Sequence, residues 1–344
     1  MKALYTPSPG DYFLSERPVP EPGPDEALIK VARAGICHTD VIIRAGGASH
    51  LRYPVIPGHE FAGVVEACGA ATRFVKPGDR VAVHSILGCG QCPGCRKGDV
   101  FTCENYDELG SKRDGGFGEY CTAPVRVLYK LPDHVTFEEA AMLEPLANAV
   151  SALRQAGIRT GDRVVIIGPG PIGLMAAQLA RHSNPSVLAL VGTRDDDERL
   201  AMGKEVAGAH TFNIMKPGVT SDLKHLLKGK GADVILDCAG TPGAWELMMD
   251  IAAFRCRICI EGAYDVGQMM PIAPYSFLVV RAITIMGICG WLTVDFTNAL
   301  DYLSRGMVNV KKLHTHTFPL DEWEAAFEMA TKRKSEAVKV ELAP

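Results

Sequence analysis

The apolar positions change period near the middle of the chain. Up to about residue 140, short apolar runs such as Ala27–Val31 and Gly63–Ala67 alternate with Pro and Gly, which predicts many short strands. From Leu146 the pattern lengthens: helical spacing through Ala156, a continuous apolar run at Arg163–Ile167, a glycine turn, then helical spacing from Ile172 to Arg181. Val187–Val191, Val234–Cys238, Ile258–Glu261 and Ile283–Met286 read as further buried strands, separated by segments long enough for crossover helices. Strand, turn and helix in that rotation predict an α/β fold with a doubly wound parallel sheet. Past Gly287 the pattern predicts amphipathic helices at Phe296–Ser304 and Leu320–Thr331, and the tail is expected to return to the first domain.

Composition narrows the classes. A chain of 344 residues that is 47% hydrophobic exceeds one ordinary core and predicts two domains. A net charge of -4 and the lack of a basic run argue against a nucleic-acid surface. No apolar stretch reaches the ~18 residues a membrane helix needs, and the start Met1–Pro7 has no apolar signal core, so a cytoplasmic protein is expected. The 11 cysteines, an odd number, then suit a reducing compartment where thiols hold metals or pack.

Four of those cysteines are close in sequence. Cys89, Cys92, Cys95 and Cys103 form C-x2-C-x2-C-x7-C, with Gly90, Pro93, Gly94 and Gly98 as turn formers between them. Four soft donors on one short lobe complete the tetrahedral set of a structural zinc and leave no position for substrate. Two disulfides or four separately packed thiols fit this spacing less well. Cys256 and Cys259 lie in an apolar strand-like run and face opposite sides of it, so they read as packing residues. Cys68, Cys121, Cys238 and Cys289 are likewise read as small buried hydrophobes.

The turn Gly168-Pro169-Gly170-Pro171-Ile172-Gly173 follows an apolar strand and opens a helix, the context that gives G-x-G-x-x-G its meaning. Gly168 permits the tight turn, Gly170 lets backbone approach a pyrophosphate, and Gly173 allows helix and sheet to touch, with Pro171 and Ile172 starting the helix. NAD or NADP is the expected ligand. The next strand runs into Val191-Gly192-Thr193-Arg194-Asp195-Asp196-Asp197. A strand ending at Gly192 sets Thr193 and Arg194 against the ribose and favours NADP; a shifted loop brings in Asp195 and favours NAD. The reading leans slightly to NADP.

Three separated segments carry further donors: Cys37-His38-Thr39-Asp40, Gly58-His59-Glu60 and Glu144-Pro145. One thiol, one imidazole and two carboxylates suit an open metal site, although by spacing alone each could equally be a satisfied polar residue. With Lys76-Pro77-Gly78-Asp79-Arg80-Val81, Asp114-Gly115-Gly116-Phe117, the cysteine lobe and the glycine turn, these segments resemble the zinc-dependent medium-chain dehydrogenases/reductases over essentially the whole chain. Thr72 departs from the small or aliphatic residue usual at the end of the His-Glu signature. Glu144, at a position where ethanol-type relatives often carry a cysteine, looks like the sorbitol and threonine dehydrogenase branch.

That resemblance implies a Rossmann domain at 148–286 inserted in a mainly-β GroES-like catalytic domain at 1–147 and 287–344, with its zinc lobe at 88–104. It implies two zinc ions, one structural in the cysteine lobe and one catalytic at Cys37, His59 and either Glu60 or Glu144. Asp40 would fix the tautomer of His59. Thr39 would take the substrate proton, and Ile42 stands where some relatives have a relay histidine. His38 would meet the cofactor pyrophosphate. The implied reaction is hydride transfer between a secondary alcohol, a polyol or its ketose, and NAD(P), by a homo-dimer or homo-tetramer. An amino alcohol such as L-threonine is the alternative substrate. A nucleotide-sensing binding protein is the non-enzyme alternative, and it predicts a broken ligand set.

Overall fold

In a computed structural model, which describes residues 1–47, 51–331 and 336–344, the two periods become two sheets. The first is built from β1 (Glu26–Gly35), β2 (Glu60–Cys68), β3 (Arg80–Val83), β4 (Tyr120–Pro124) and β5 (Leu128–Lys130). Antiparallel pairing joins β1 to β2, β2 to β3 and β3 to β5, while β4 takes the N-terminal half of the other edge of β1. Register shifts in the β1/β2 ladder curl this sheet. Ala27, Ile29, Val31, Phe61 and Val81 fill its core. Between β1 and β2 stands the short helix α1 (His38–Arg44).

Helix α2 (Leu143–Ala156) joins the halves, buried along most of its length and stopped by Gly157 in the left-handed region at φ 56°. The expected boundary at residue 147 falls inside it. The parallel sheet follows: β6 (Arg163–Ile167), β7 (Val187–Gly192), β8 (His210–Asn213), β9 (Ala232–Asp237), β10 (Ala252–Ile260) and β11 (Thr284–Gly287). Its order is β8-β7-β6-β9-β10-β11, with helix α3 (Pro171–Arg181) crossing from β6 to β7. Central strand β6 is buried on both faces, Val164 and Ile166 against α2 and α3, Val165 and Ile167 in the opposite core with Trp245 and Met248. This two-sided burial is why the strand reads as one unbroken apolar run.

The remaining chain goes back to the first half. Helix α4 (Thr293–Ser304) packs Phe296, Ala299 and Leu303 into the core shared by α2 and β6. Arg154 of α2 donates to both carboxylate oxygens of Asp295 at 2.7 and 2.8 Å, closing this seam. Strand β12 (His314–Pro319), helix α5 (Trp323–Thr331) and strand β13 (Lys339–Ala343) follow, and β13 pairs with the C-terminal end of β1. Cys256 and Cys259 lie in cores on opposite faces of β10. Cys289 corrects its reading as buried: it is exposed in the turn beyond β11, pointing away from the core that its neighbours Ile288 and Trp291 pack into.

Candidate active site

Local backbone brings the four lobe cysteines together. Their sulfur atoms all lie within 4.8 Å of one another. The loop turns through left-handed glycines, Gly90 at φ 76° and Gly98 at φ 79°, and a side chain at Gly88 would run into the Cys95 sulfur. Backbone amides point at the sulfurs: Cys89 N–H to Cys103 Sγ at 3.2 Å, Cys92 N–H to Cys89 Sγ at 3.4 Å and Cys95 N–H to Cys92 Sγ at 3.5 Å. Amides of Gln91 and Cys92 draw the Cys89 thiol down to about 6, whereas burial holds Cys95 up at about 12. Four convergent sulfurs with N–H groups turned toward them fit a closed tetrahedral zinc.

A second convergence forms where β1 ends and β2 begins. Gly35 and Glu60 are register partners, so Cys37, just past β1 and capping α1, meets His59 and Glu60. One ligand atom from each of these three lies within 4.8 Å of the others. Asp40 is buried behind them: one oxygen accepts from the Cys37 backbone N–H at 2.9 Å, the other stands 3.8 Å from His59 Nδ1. That second distance is an ion-pair separation, longer than a hydrogen bond.

Glu144, in the first turn of α2, is buried beside the cluster but outside the three-residue set. Burial pushes its carboxyl up to about 8, with Glu60 adding to the rise and His59 opposing it. For His59, burial works against the imidazolium, yet Asp40, Cys37 and Glu144 outweigh it and hold the ring well above its ordinary value. Thiol, imidazole and surrounding carboxylates thus make a field that favours positive charge, which fits a divalent cation.

Sequence reasoning missed Lys339. Almost fully buried on β13, it ion-pairs with Glu60 and donates to the Ile36 carbonyl at 3.1 Å. Gly35 has no side chain where these two meet; a Cβ there would strike both the Glu60 carboxylate and the Lys339 stem. The available signal was a charge at alternate positions, Lys339 and Glu341, in an otherwise apolar terminal strand.

At the carboxyl edge of the parallel sheet, Gly168 is left-handed at φ 100° and a Cβ there would lie 2.9 Å from Ala239 N. A side chain at Gly173 would collide with the Gly168 carbonyl, while nothing stands within 4 Å of the Cβ direction of Gly170, which caps α3. The open face above Gly170 and the start of α3, with Pro171 in its first turn, make a cradle that fits a pyrophosphate. Strand β7 ends at Gly192, followed by Thr193, whose N–H and hydroxyl donate to Asp196 at 2.8 and 3.1 Å. Arg199 faces Asp196 from the other side at 3.4 Å. Arg194 lies in the short turn after Thr193, and its side chain is outside the described residues. His38 is exposed and Thr39 half-buried at the start of α1, next to Cys37.

Comparison with known proteins finds two family matches along the chain. Residues 23–133 match the family described as alcohol dehydrogenase GroES-like domain, and residues 171–305 the family described as zinc-binding dehydrogenase. A sorbitol dehydrogenase of Halalkalibacterium halodurans is 33% identical over 97% of this chain and 96% of its own length. An L-threonine 3-dehydrogenase of Pyrococcus horikoshii is 32% identical over 94% of this chain and 92% of its own. Among solved structures, a zinc-binding dehydrogenase of Sinorhizobium meliloti 1021 bound to NADP superposes with a TM-score of 0.91 at 29% identity, covering 100% of this chain and 99% of that one.

Proposed function

Because the chain belongs to the zinc-dependent medium-chain dehydrogenases/reductases, we propose that it moves hydride between a polyol or sugar alcohol and NAD(P), using Cys37, His59 and Glu144 around the catalytic metal. The observation that carries this is the convergence of Cys37, His59 and Glu60 beside buried Glu144, at the seam between the two sheets. Zinc bound there supplies Lewis acidity toward the alcohol oxygen, and the bound dinucleotide supplies the hydride acceptor. Glu60 sits within the cluster, but the Lys339 ammonium holds its carboxylate, so Glu144 is the freer donor. Asp40 keeps the first turn of α1 against the site by holding the Cys37 amide, and its charge orients His59. Thr39 takes the substrate proton, since its hydroxyl both donates and accepts. Ile42 offers no onward group, so the proton leaves through water or cofactor hydroxyls. His38, exposed at the start of α1, is assigned to the pyrophosphate side of the cleft.

Polyols, L-threonine and simple secondary alcohols offered with each nicotinamide cofactor test the substrate class. Turnover of polyols with little on L-threonine is expected. The reverse ranking would place the chain with its threonine-oxidising relatives, and silence across the panel with cofactor still bound would favour the nucleotide-sensing alternative.

NADP is the proposed cofactor. No acidic side chain occupies the last position of β7, and Asp196 is drawn onto Thr193 and Arg199; in the sequence Arg194 follows Thr193 and is the cation assigned to a 2'-phosphate. Arg194→Ala is expected to weaken NADP binding about tenfold or more, the loss of a charge-assisted hydrogen bond, and to leave NAD within about twofold. Equal weakening of both in fluorescence titrations would remove Arg194 from phosphate recognition.

The proposed assembly is a homo-oligomer joined through β11. That strand is the edge of the parallel sheet, with Tyr275, Val279 and Val280 exposed before it. A sedimenting species of monomer mass alone would end this reading. Among the described residues no helix is long and apolar enough to cross a membrane, and a cytoplasmic location is part of the proposal.

A further inference from the structure

Glu261, the first residue past β10, is a half-buried acid that the chemistry above does not use. Its backbone N–H and that of Gly262 donate to the Asp237 carbonyl at 2.9 and 2.8 Å, fixing it at the carboxyl edge between β9 and β10. The strand's alternation sets its direction. Ile258 and Ile260 pack into the core with Val165 and Trp245, whereas Cys259 packs into the core with α2. Glu261 therefore falls on the α2 side, toward the first turn that carries Glu144. Both of its carboxylate oxygens are closed to solvent, and neither has a hydrogen-bond partner among the described residues.

The neighbouring acid is differently placed. Asp237 accepts from the amides of Ala239 and Gly240 at 2.9 and 3.1 Å and from the Tyr264 hydroxyl at 2.8 Å, so its acceptors are satisfied within the protein. Burial first, then the charge of Glu144, push the Glu261 carboxyl up to about 8. A buried, unpaired carboxyl of this kind is costly unless binding brings it a partner.

The fold says which partner arrives. With strand order β8-β7-β6-β9-β10-β11, a dinucleotide lies across the carboxyl edge with its pyrophosphate at the Gly168 turn. Its adenosine half falls over β6 to β8 and its nicotinamide half over β9 to β11. The nicotinamide ring is a cation when oxidised and neutral when reduced, so a carboxylate at this edge interacts with the two forms unequally. We propose that Glu261 is the electrostatic partner of the oxidised nicotinamide ring and sets the enzyme's preference for oxidised over reduced cofactor. When the cationic ring binds, the carboxyl releases its proton to solvent; when the ring is reduced and neutral, it takes one back. This role rests on the nicotinamide-dependent reading of the site.

The test measures dissociation constants of oxidised and reduced cofactor by calorimetry on zinc-loaded protein without substrate. Glu261→Gln keeps shape and removes charge; it is expected to weaken the oxidised form about tenfold and leave the reduced form within about twofold. Glu261→Asp, which keeps the charge, is expected to restore most of the difference. Equal weakening of both forms, or an unchanged oxidised affinity, overturns the proposal. Failure of the unsubstituted protein to bind either form would overturn the nicotinamide reading and this role together, whereas normal binding with an unchanged ratio in Glu261→Gln would remove this role alone.

Discussion

Cys37→Ala is expected to lower kcat/KM by about a thousandfold or more and, on the proposed two-zinc reading, to remove one of the two bound ions. The magnitude follows from what the thiol provides. Cys37 is the one sulfur in a cluster whose other members are His59 and Glu60, and its removal takes away a soft ligand. Loss of metal removes Lewis-acid stabilisation of the developing alkoxide, several kcal/mol of barrier, and each ~1.4 kcal/mol is a factor of ten. The lobe is a separate site with its own four sulfurs, so a zinc held there should remain and report that the chain is folded. The glycine turn is also untouched, so cofactor affinity should change little. Full metal content with unimpaired turnover would show that catalysis does not pass through Cys37; loss of both ions would show a folding defect instead.

How much of this site could be read from the sequence depended on whether its signal was local. The cysteine lobe and the turn after β6 are contiguous, and their backbone needs, left-handed glycines and an open Cβ direction at Gly170, are written into residue type. Strands buried on two faces, such as β6 and β7, announce themselves as apolar runs. Strand β8, His210-Thr211-Phe212-Asn213, lies at the sheet edge with polar positions and gave no such run. Lys339 and Glu261 were harder for a different reason. Each charge acts through a residue far away in sequence, Glu60 for Lys339 and Glu144 for Glu261, and only pairing of β13 with β1 or packing of α2 on β10 creates the contact or the field. Cys289 shows the same limit in reverse, because an apolar neighbourhood in sequence did not turn its side chain toward the core.

The Lys339–Glu60 pair allows a second large effect to be separated from the first. Burial works against the Lys339 ammonium, yet Glu60 and Cys37 hold its pKa above the ordinary lysine value. Lys339→Met keeps much of the stem and removes the charge, leaving the Glu60 carboxylate buried and unpaired. Breaking such a pair from one side costs about 3–5 kcal/mol, most of it the desolvation of the charge left behind. The expected reading is a marked fall in the midpoint of the first thermal transition, the suitable observable for a chain with two sheets that need not unfold together. Glu60→Gln alone strands the ammonium and should cost a similar amount. The double substitution Lys339→Met/Glu60→Gln removes both charges and should recover most of the loss, because two neutral groups of similar shape no longer carry a desolvation penalty. An additive double mutant would mean the ion pair contributes nothing as a pair. In Lys339→Met the Glu60 carboxylate, which already lies within 4.8 Å of the Cys37 and His59 ligand atoms, loses its ammonium partner and competes for the metal, so activity should fall while metal content is kept, the opposite metal outcome to Cys37→Ala. Retained metal with lost turnover would identify Lys339 as the group that keeps the Glu60 carboxylate from competing for the open coordination position.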